Sequence, residues 1–350
     1  MGKASCLASV TIIGAGIFGL TCAWEIARRG HRVRVIEARH VGAGSSGGHV
    51  GALAPHVPDN WNPKKAFQLD SLLMAPEFWQ QIEEASGLPS GYARTGRLQP
   101  LPDQAAADRL QDRIQAAKTR WPASMGMHVT DAPATALRPL SPSGLWLQDG
   151  LTARIAPRPA LRALAEAISR KGGEIVENSP VRPEDVTGLT IWATGSAGLD
   201  DLSARLERPL GKGIKGQSAL LDFAAPDAPQ VFADSLHIVP HADGTTAIGS
   251  TSENSFEHDQ PDSQLDDIIA RAVEICPQLQ EARVIDRWAG LRPRAKSRAP
   301  LLGHWPDKPD HFIANGGFKI GFGMAPKIAI IMADLILQGR DQIPEAFRLT

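Results

Sequence analysis

At 350 residues the chain is longer than one typical domain, so two domains sharing one chain are expected. A formal net charge of −1 excludes a broadly basic nucleic-acid surface, and 43% hydrophobic with 21% charged residues suits a soluble globular protein with a sizeable core. Cys6, Cys22 and Cys276 lie far apart without CxxC spacing, so neither a disulfide framework nor a metal site is expected, and a reducing cytoplasm fits.

The chain opens on an apolar run, Val10 to Ile13, that enters a turn holding Gly14, Gly16 and Gly19. A helix-patterned segment runs to about Arg29, Gly30 stops it, and a second apolar run, Arg32 onward, ends at Glu37. This is a βαβ unit with a dinucleotide fingerprint. Gly14 permits the tight turn, Gly16 lets the backbone approach a pyrophosphate, and Gly19 lets helix pack on strand. The helix N-terminus offers unpaired N–H groups and a positive dipole end to phosphates. Glu37, eighteen residues past Gly19, stands where an acid accepts from the ribose hydroxyls and disfavours a 2′-phosphate, which points to NAD or FAD rather than NADP. The competing reading is an ordinary βα turn that binds nothing. Lys3 ahead of the apolar run imitates a signal peptide, but that run carries the phosphate turn and Glu25, and cleavage would destroy the site.

Next comes a glycine-dense loop, residues 42–55, whose Ser45 and Ser46 can reach phosphates; a plain flexible loop is the alternative. Spacing near 3.6 predicts helices over 66–85 and 103–120, and Pro-rich turns follow at 133–142. Residues 157–171 form the clearest helix pattern, stopped by Gly172-Gly173, with strands at 174–177 and 189–195. Short runs 217–222, 237–240 and 246–249 read as an antiparallel sheet, and 264–275 as a helix. Segments 288–294 and 312–323 precede a final helix over 327–337, whose apolar part is too short to span a bilayer and contains Asp334. The expected class is α/β with an α+β substrate domain. A discontinuous Rossmann-like dinucleotide domain (1–60, 145–212, 293–350) carries an inserted antiparallel-sheet domain (61–144, 213–292). NAD dehydrogenases keep their nucleotide domain more contiguous, so the interleaving favours FAD.

Several segments together resemble a known family. They are Ile191-Trp-Ala-Thr-Gly195, His237-Ile-Val-Pro-His, Ile248-Gly-Ser-Thr251, Trp288-Ala-Gly-Leu-Arg-Pro293, Gly316-Gly-Phe-Lys-Ile-Gly321 and the ending Ala346-Phe-Arg-Leu. The chain resembles the flavin-dependent D-amino acid oxidase superfamily over nearly its whole length, and within it the glycine oxidases. The resemblance implies non-covalent FAD, since no cysteine falls in the C-terminal flavin loop. The implied cofactor contacts begin with Gly14, Gly16, Ile17, Phe18 and Gly19, then Glu37, Ala38 and Arg39. They continue through Ser45, Ser46, Gly51, Ala52 and Leu53, then Val181, Ala193, Thr194 and Gly195. They end at Gly290 and the run Gly317, Phe318, Lys319, Ile320 and Gly321 beside the flavin ring.

By the same resemblance Arg292 grips a substrate carboxylate, a task suited to a permanently charged, bidentate guanidinium, with Arg294 the competing candidate. Lys319 stands where the family's glycine oxidases carry arginine, and His237 where they carry a tyrosine that donates to the carboxylate. Ser252 replaces an apolar residue at the pocket edge, and His49 in the glycine-rich loop is a further candidate without a motif. Trp61, Phe67, Trp79 and Tyr92 are pocket or core, with core the stronger expectation.

The implied activity is oxidation of the C–N bond of a small amino acid (a D-amino acid, glycine or an N-substituted amino acid) to an imine by hydride transfer to flavin. Arg292, Lys319 and His237 are the expected catalytic-site residues. Expected partners are the amino acid and oxygen or another electron acceptor, with a homo-oligomer possible and neither nucleic acid nor a membrane span. The alternatives are an FAD-containing amino acid dehydrogenase, a subunit of a hetero-oligomeric amine dehydrogenase passing electrons to a partner, and a tRNA-modifying oxidoreductase, against which the near-zero net charge speaks.

Overall fold

The computed structural model describes residues 7–349, so Cys6 lies outside the described residues. One sheet has the order β15 (Leu301–Trp305), β16 (Lys308–Asn315), β9 (Thr190–Trp192), β1 (Ser9–Ile13), β2 (Arg32–Ile36), β8 (Glu174–Val176). From β16 to β8 its pairs are parallel, while the edge strand β15 runs antiparallel to β16. Helix α1 (Ile17–Arg28) crosses from β1 to β2 and is buried along almost its whole length. It packs against α5 (Pro157–Arg170) and α8 (Gly321–Gln338), and both of these pack against α2 (Pro63–Ser86). Glu25 on α1, wholly buried, holds Arg28 and Arg29, and Arg29 reaches Asp334 on α8 at 2.7 Å.

The second sheet has the order β14 (Arg283–Ala295), β10 (Gly211–Asp222), β13 (Thr246–Gly249), β12 (Leu236–Pro240), β11 (Gln230–Ala233), β4 (Arg97–Pro100), β6 (Trp146–Asp149), β5 (Met127–Thr130). It is mixed rather than antiparallel throughout, because β4 and β11 pair in parallel. These strands come from two separated insertions, so no hairpin sets their relative direction. Helix α7 (Ser263–Ile275) covers the sheet near β10 and β13, α4 (Gln111–Arg120) lies against β5, and α6 (Gly195–Arg205) packs on β10 and β14. A two-stranded ribbon, β3 (Ala52–Leu53) with β7 (Ala153–Arg154), completes the strands among the described residues.

Other expectations change as well. The helix expected over 103–120 is two, α3 (Gln104–Asp108) and α4, because the Leu110 N–H bonds Ala107 O and tightens one turn at the junction. The last helix begins at Gly321 rather than 327, with Pro326 inside it. A proline that close to a helix start gives up one backbone bond without breaking the run. Although α8 is long and apolar enough to cross a membrane, most of it is buried between other helices of this fold. Segment 145–212 divides between the sheets, since β6 joins the eight-stranded one. Phe67 and Trp79 belong to the core with Tyr92 packed against it, and Trp61 packs on a satellite cluster, as expected.

Candidate active site

A groove of about 680 Å³ runs between the two sheets. One end is lined by Gly14, Gly16, Ile17, Phe18, Glu37, Ala38 and Arg39, brought there by the β1–α1 turn and the end of β2. A Cβ on Gly14, whose φ is +104°, would lie 2.5 Å from Ala193 O, so only glycine lets this turn meet the strand end beside it. Glu37 is held from both sides: its Oε2 accepts from Ala15 N at 2.8 Å and its Oε1 from Arg39 N at 3.0 Å. Helix α1 starts on Gly16 with no side-chain cap and no acid in its first turn, and Ser46 Oγ accepts from Ile17 N at 3.0 Å. The start of α8 also lies on the groove, through Gly321, Phe322 and Gly323, again with neither cap nor acid. Both helix ends offer their positive poles to an anion or an electron-rich ring.

The groove's middle is lined by Ser45, Ser46, Gly51, Ala52, Val181, Ala193, Thr194 and Gly195. Four expected contacts lie elsewhere. Gly19 packs under the turn, where a Cβ would sit 1.9 Å from Gly14 O, and Gly290 is roofed by the Trp288 ring. Leu53 and Ile320 line a smaller neighbouring cavity instead. Ser252 is exposed and lines neither space, because the chain turns outward after β13; Ser250 takes the groove position.

At the far end stand Trp288, Arg292, His237 and the run Gly317, Phe318, Lys319. Arg292 projects from β14, is 7% exposed, and donates from Nη2 to Thr251 O at 2.6 Å. It has no salt bridge among the described residues. Burial lowers its pKa to about 10, opposed only by Glu253. That carboxylate is already engaged by Gln217 Nε2 at 2.9 Å, by Thr251 Oγ1 and, more distantly, by Lys215. Arg294 points away, onto Asn254 and the Phe318 ring. Phe318, at φ 43°, donates its N–H to Pro293 O at 3.1 Å, which ties the flexible-looking glycine loop to the strand carrying Arg292.

Lys319 has no carboxylate partner among the described residues, and its pKa is lowered by burial and then by Arg292. His237 stacks on Phe232 with centroids 4.6 Å apart, and its buried Nδ1 has no partner. Burial, with Arg97 and Lys319 nearby, lowers its pKa to about 3, so the ring is neutral at physiological pH. His49 is buried on the groove wall between Ser218 Oγ at 3.2 Å and Asp286 at 3.1 Å, with its pKa lowered by burial and then by Arg158.

The sequence matches the family described as FAD dependent oxidoreductase (DAO) over residues 9–335. The chain belongs to that family. It is 24% identical to the glycine oxidase of Geobacillus kaustophilus, over 93% of this chain and 92% of that one. It is 27% identical to the glycine oxidase of Pseudomonas aeruginosa, over 95% and 96%. The crystal structure of glycine oxidase from Geobacillus kaustophilus superposes with a TM-score of 0.85 at 23% identity, covering 97% of this chain and 98% of that one.

This FAD-dependent oxidoreductase has residues that fit its cofactor. The groove joins the βαβ turn to the glycine loop without interruption, and a Cβ at Gly48 would meet the Trp288 ring at 3.0 Å while one at Gly317 would meet the Phe18 ring at 3.0 Å. Glycine at both places lets the Trp288 and Phe18 rings, which line the groove, lie against bare backbone. Ser218, Phe232, Trp288 and Asn315 line the groove without having been singled out as contacts from sequence. Trp288 had a signal, since it opens the Trp-Ala-Gly-Leu-Arg-Pro run; the other three sit on strands whose pairing alone aims them inward.

Proposed function

We propose that the enzyme oxidises the C–N bond of a small amino acid, either a primary or an N-substituted one, to an imine. Non-covalently bound FAD supplies the hydride acceptor. The unit around the six-stranded sheet holds the cofactor; the eight-stranded sheet carries Arg292 and His237, while Lys319 comes from the loop between β16 and α8. Glu37 would hold the ribose, and the open N-termini of α1 and α8 would face the pyrophosphate and the electron-rich edge of the ring.

One observation carries the reading: a buried guanidinium with no salt bridge among the described residues lines the same groove as Glu37 and the phosphate turn. A desolvated cation of this kind is stabilised by a carboxylate that arrives with a ligand. Arg292 fixes the α-carboxylate, Lys319 adds field, and neutral His237 offers one N–H without a charge. Fixing the carboxylate sets the α-carbon's position, and positioning is the contribution asked of these side chains. Cys22 and Cys276 are buried free thiols, in keeping with a reducing cytoplasm.

The test is Arg292→Ala. The variant should load with FAD and keep its absorbance spectrum while kcat/KM for its best amino acid falls about 100-fold, the equivalent of two charge-assisted bonds of ~1.5 kcal/mol. A flavin-loaded variant with unchanged efficiency overturns the proposal. Anaerobic reduction followed by readmitted air distinguishes oxygen from another electron acceptor.

A further inference from the structure

The smaller cavity, about 180 Å³, has no part in that reading. It opens off the substrate end of the groove, with which it shares Ala52, Phe232, His237 and Lys319. Its inner wall is Arg97, on β4, itself 7% exposed. Arg97 Nε donates to buried Asp149 at 2.9 Å, and among the described residues its two terminal nitrogens have no hydrogen-bond partner. Lys319, on the opposite lip, has no acid either among the described residues. Both cations act on the same imidazole, that of His237, whose buried Nδ1 is unpartnered.

The remaining walls carry no negative charge: Gln68 is the other polar lining residue, and the scaffold already occupies its amide through His56 N at 2.7 Å and Ala54 O at 3.3 Å. Asp149 engages Arg97 through Nε alone, so this small space, with the Lys319 ammonium and the free end of the Arg97 fork, keeps one positive charge without a partner among the described residues. The loss of hydration is offset only if an anion enters. Arg292 cannot share its own anion with this space, because it already pairs with the α-carboxylate in the proposed function, on which this inference rests.

We propose that the preferred substrate is a dicarboxylic amino acid, whose α-carboxylate pairs with Arg292 and whose second carboxylate, on a short arm from the α-carbon or from the nitrogen, lies between Lys319 and Arg97. The Arg97 fork is pre-aimed by Asp149, so its terminal nitrogens meet a carboxylate in plane. Lys319 approaches as a point charge. The cavity's two cations, not its volume, disfavour an apolar side chain, which would desolvate them without pairing them.

The experiment compares matched pairs on the flavin-loaded enzyme: D-aspartate with D-asparagine, D-glutamate with D-glutamine, and N-carboxymethylglycine with its monoamide. Each pair is nearly isosteric and differs by one charge. The expected result is kcat/KM for at least one diacid tenfold or more above its amide. Lys319→Met, which orphans no acid, should cut that ratio at least fivefold, and Lys319→Arg should restore it. Glycine, sarcosine and D-alanine serve as controls. Flavin reduction by these controls or the amides with no diacid preference in any pair overturns the subsite and leaves amino-acid oxidation standing. Reduction by none of the compounds, with flavin bound, overturns amino-acid oxidation itself and the subsite with it.

Discussion

The Arg292 guanidinium lies on Gly216: a Cβ added there would sit 1.3 Å from Nη2 and 2.1 Å from Cζ. The two residues occupy adjacent strands, where Gly216 pairs with Gly290 and Arg292 pairs with Ile214. The bare backbone of β10 is therefore the floor that lets a long cation fold flat at the end of the groove. Gly216 was not among the residues picked from sequence, yet the position of the proposed carboxylate anchor depends on it.

Gly216→Ala should displace the guanidinium without touching the cofactor end. Its φ is not in the left-handed region, so the methyl acts by sterics alone. Losing the aimed pair costs about 2–3 kcal/mol, so kcat/KM should fall roughly 30- to 150-fold, mainly through KM. Flavin content and spectrum should stay as in the wild type. A variant with wild-type KM would mean that the guanidinium need not lie flat to work.

Glu37→Gln tests the other end. The carboxylate accepts from two backbone N–H groups and faces the groove, so the amide loses one acceptor and adds a repelling donor beside Ala15 N. Charge-assisted bonds of this kind contribute ~1.5–3 kcal/mol, so the FAD dissociation constant should rise about tenfold or more in a flavin-fluorescence titration of the apoprotein. Steady-state KM for the amino acid, measured with saturating FAD, should hold.

How much was legible follows the range of the interactions. The β1–α1–β2 unit and Glu37 were readable because turn, cap and strand signals lie within one short stretch of chain. Arg292 needed a family resemblance, since six basic residues crowd 283–298 and nothing local separates them; Arg292 and Arg294 even share a face of β14 by strand period, and only their tertiary partners, the groove for one and Asn254 for the other, tell them apart. Strands β4, β5, β6, β11 and β15 and helix α6 were not anticipated. β4 is built by neighbours far along the chain, β11 on one side and β6 on the other. For the same reason Arg97, between Gly96 and Leu98, carries no local mark of function. The early start of α8 was missed because Pro326, just before the expected 327–337, is tolerated inside the helix.

His237 gives a prediction about acid stability. Its folded pKa of about 3 lies below its ordinary 6.5, so between those values the unfolded chain binds a proton that the folded one does not. Stability from burying the neutral ring is therefore fully present above 6.5 and is lost as pH falls towards 3. His237→Leu should flatten this part of the Tm-versus-pH curve while Tm near pH 8 changes less. An unchanged slope between pH 6 and 4 would mean that the ring is free to protonate in the folded protein.

Lys319 sets the opposite limb. Its pKa is held below the ordinary lysine value of 10.5, first by burial and then by Arg292, while Arg97 and neutral His237 face it across the smaller cavity. Binding of an amine-free dicarboxylate such as succinate removes the substrate's own amine from the titration. Its inhibition constant should be flat through neutrality, because His237 stays uncharged there, and should weaken on the alkaline side as the Lys319 ammonium deprotonates before an ordinary lysine would. Lys319→Arg, whose charge persists beyond that range, should carry tight binding to higher pH by about one unit or more. Lys319→Met should abolish the limb and weaken binding about tenfold at pH 7, the loss of one charge-assisted contact. An alkaline limb that survives in Lys319→Met would place the titrating group elsewhere than Lys319.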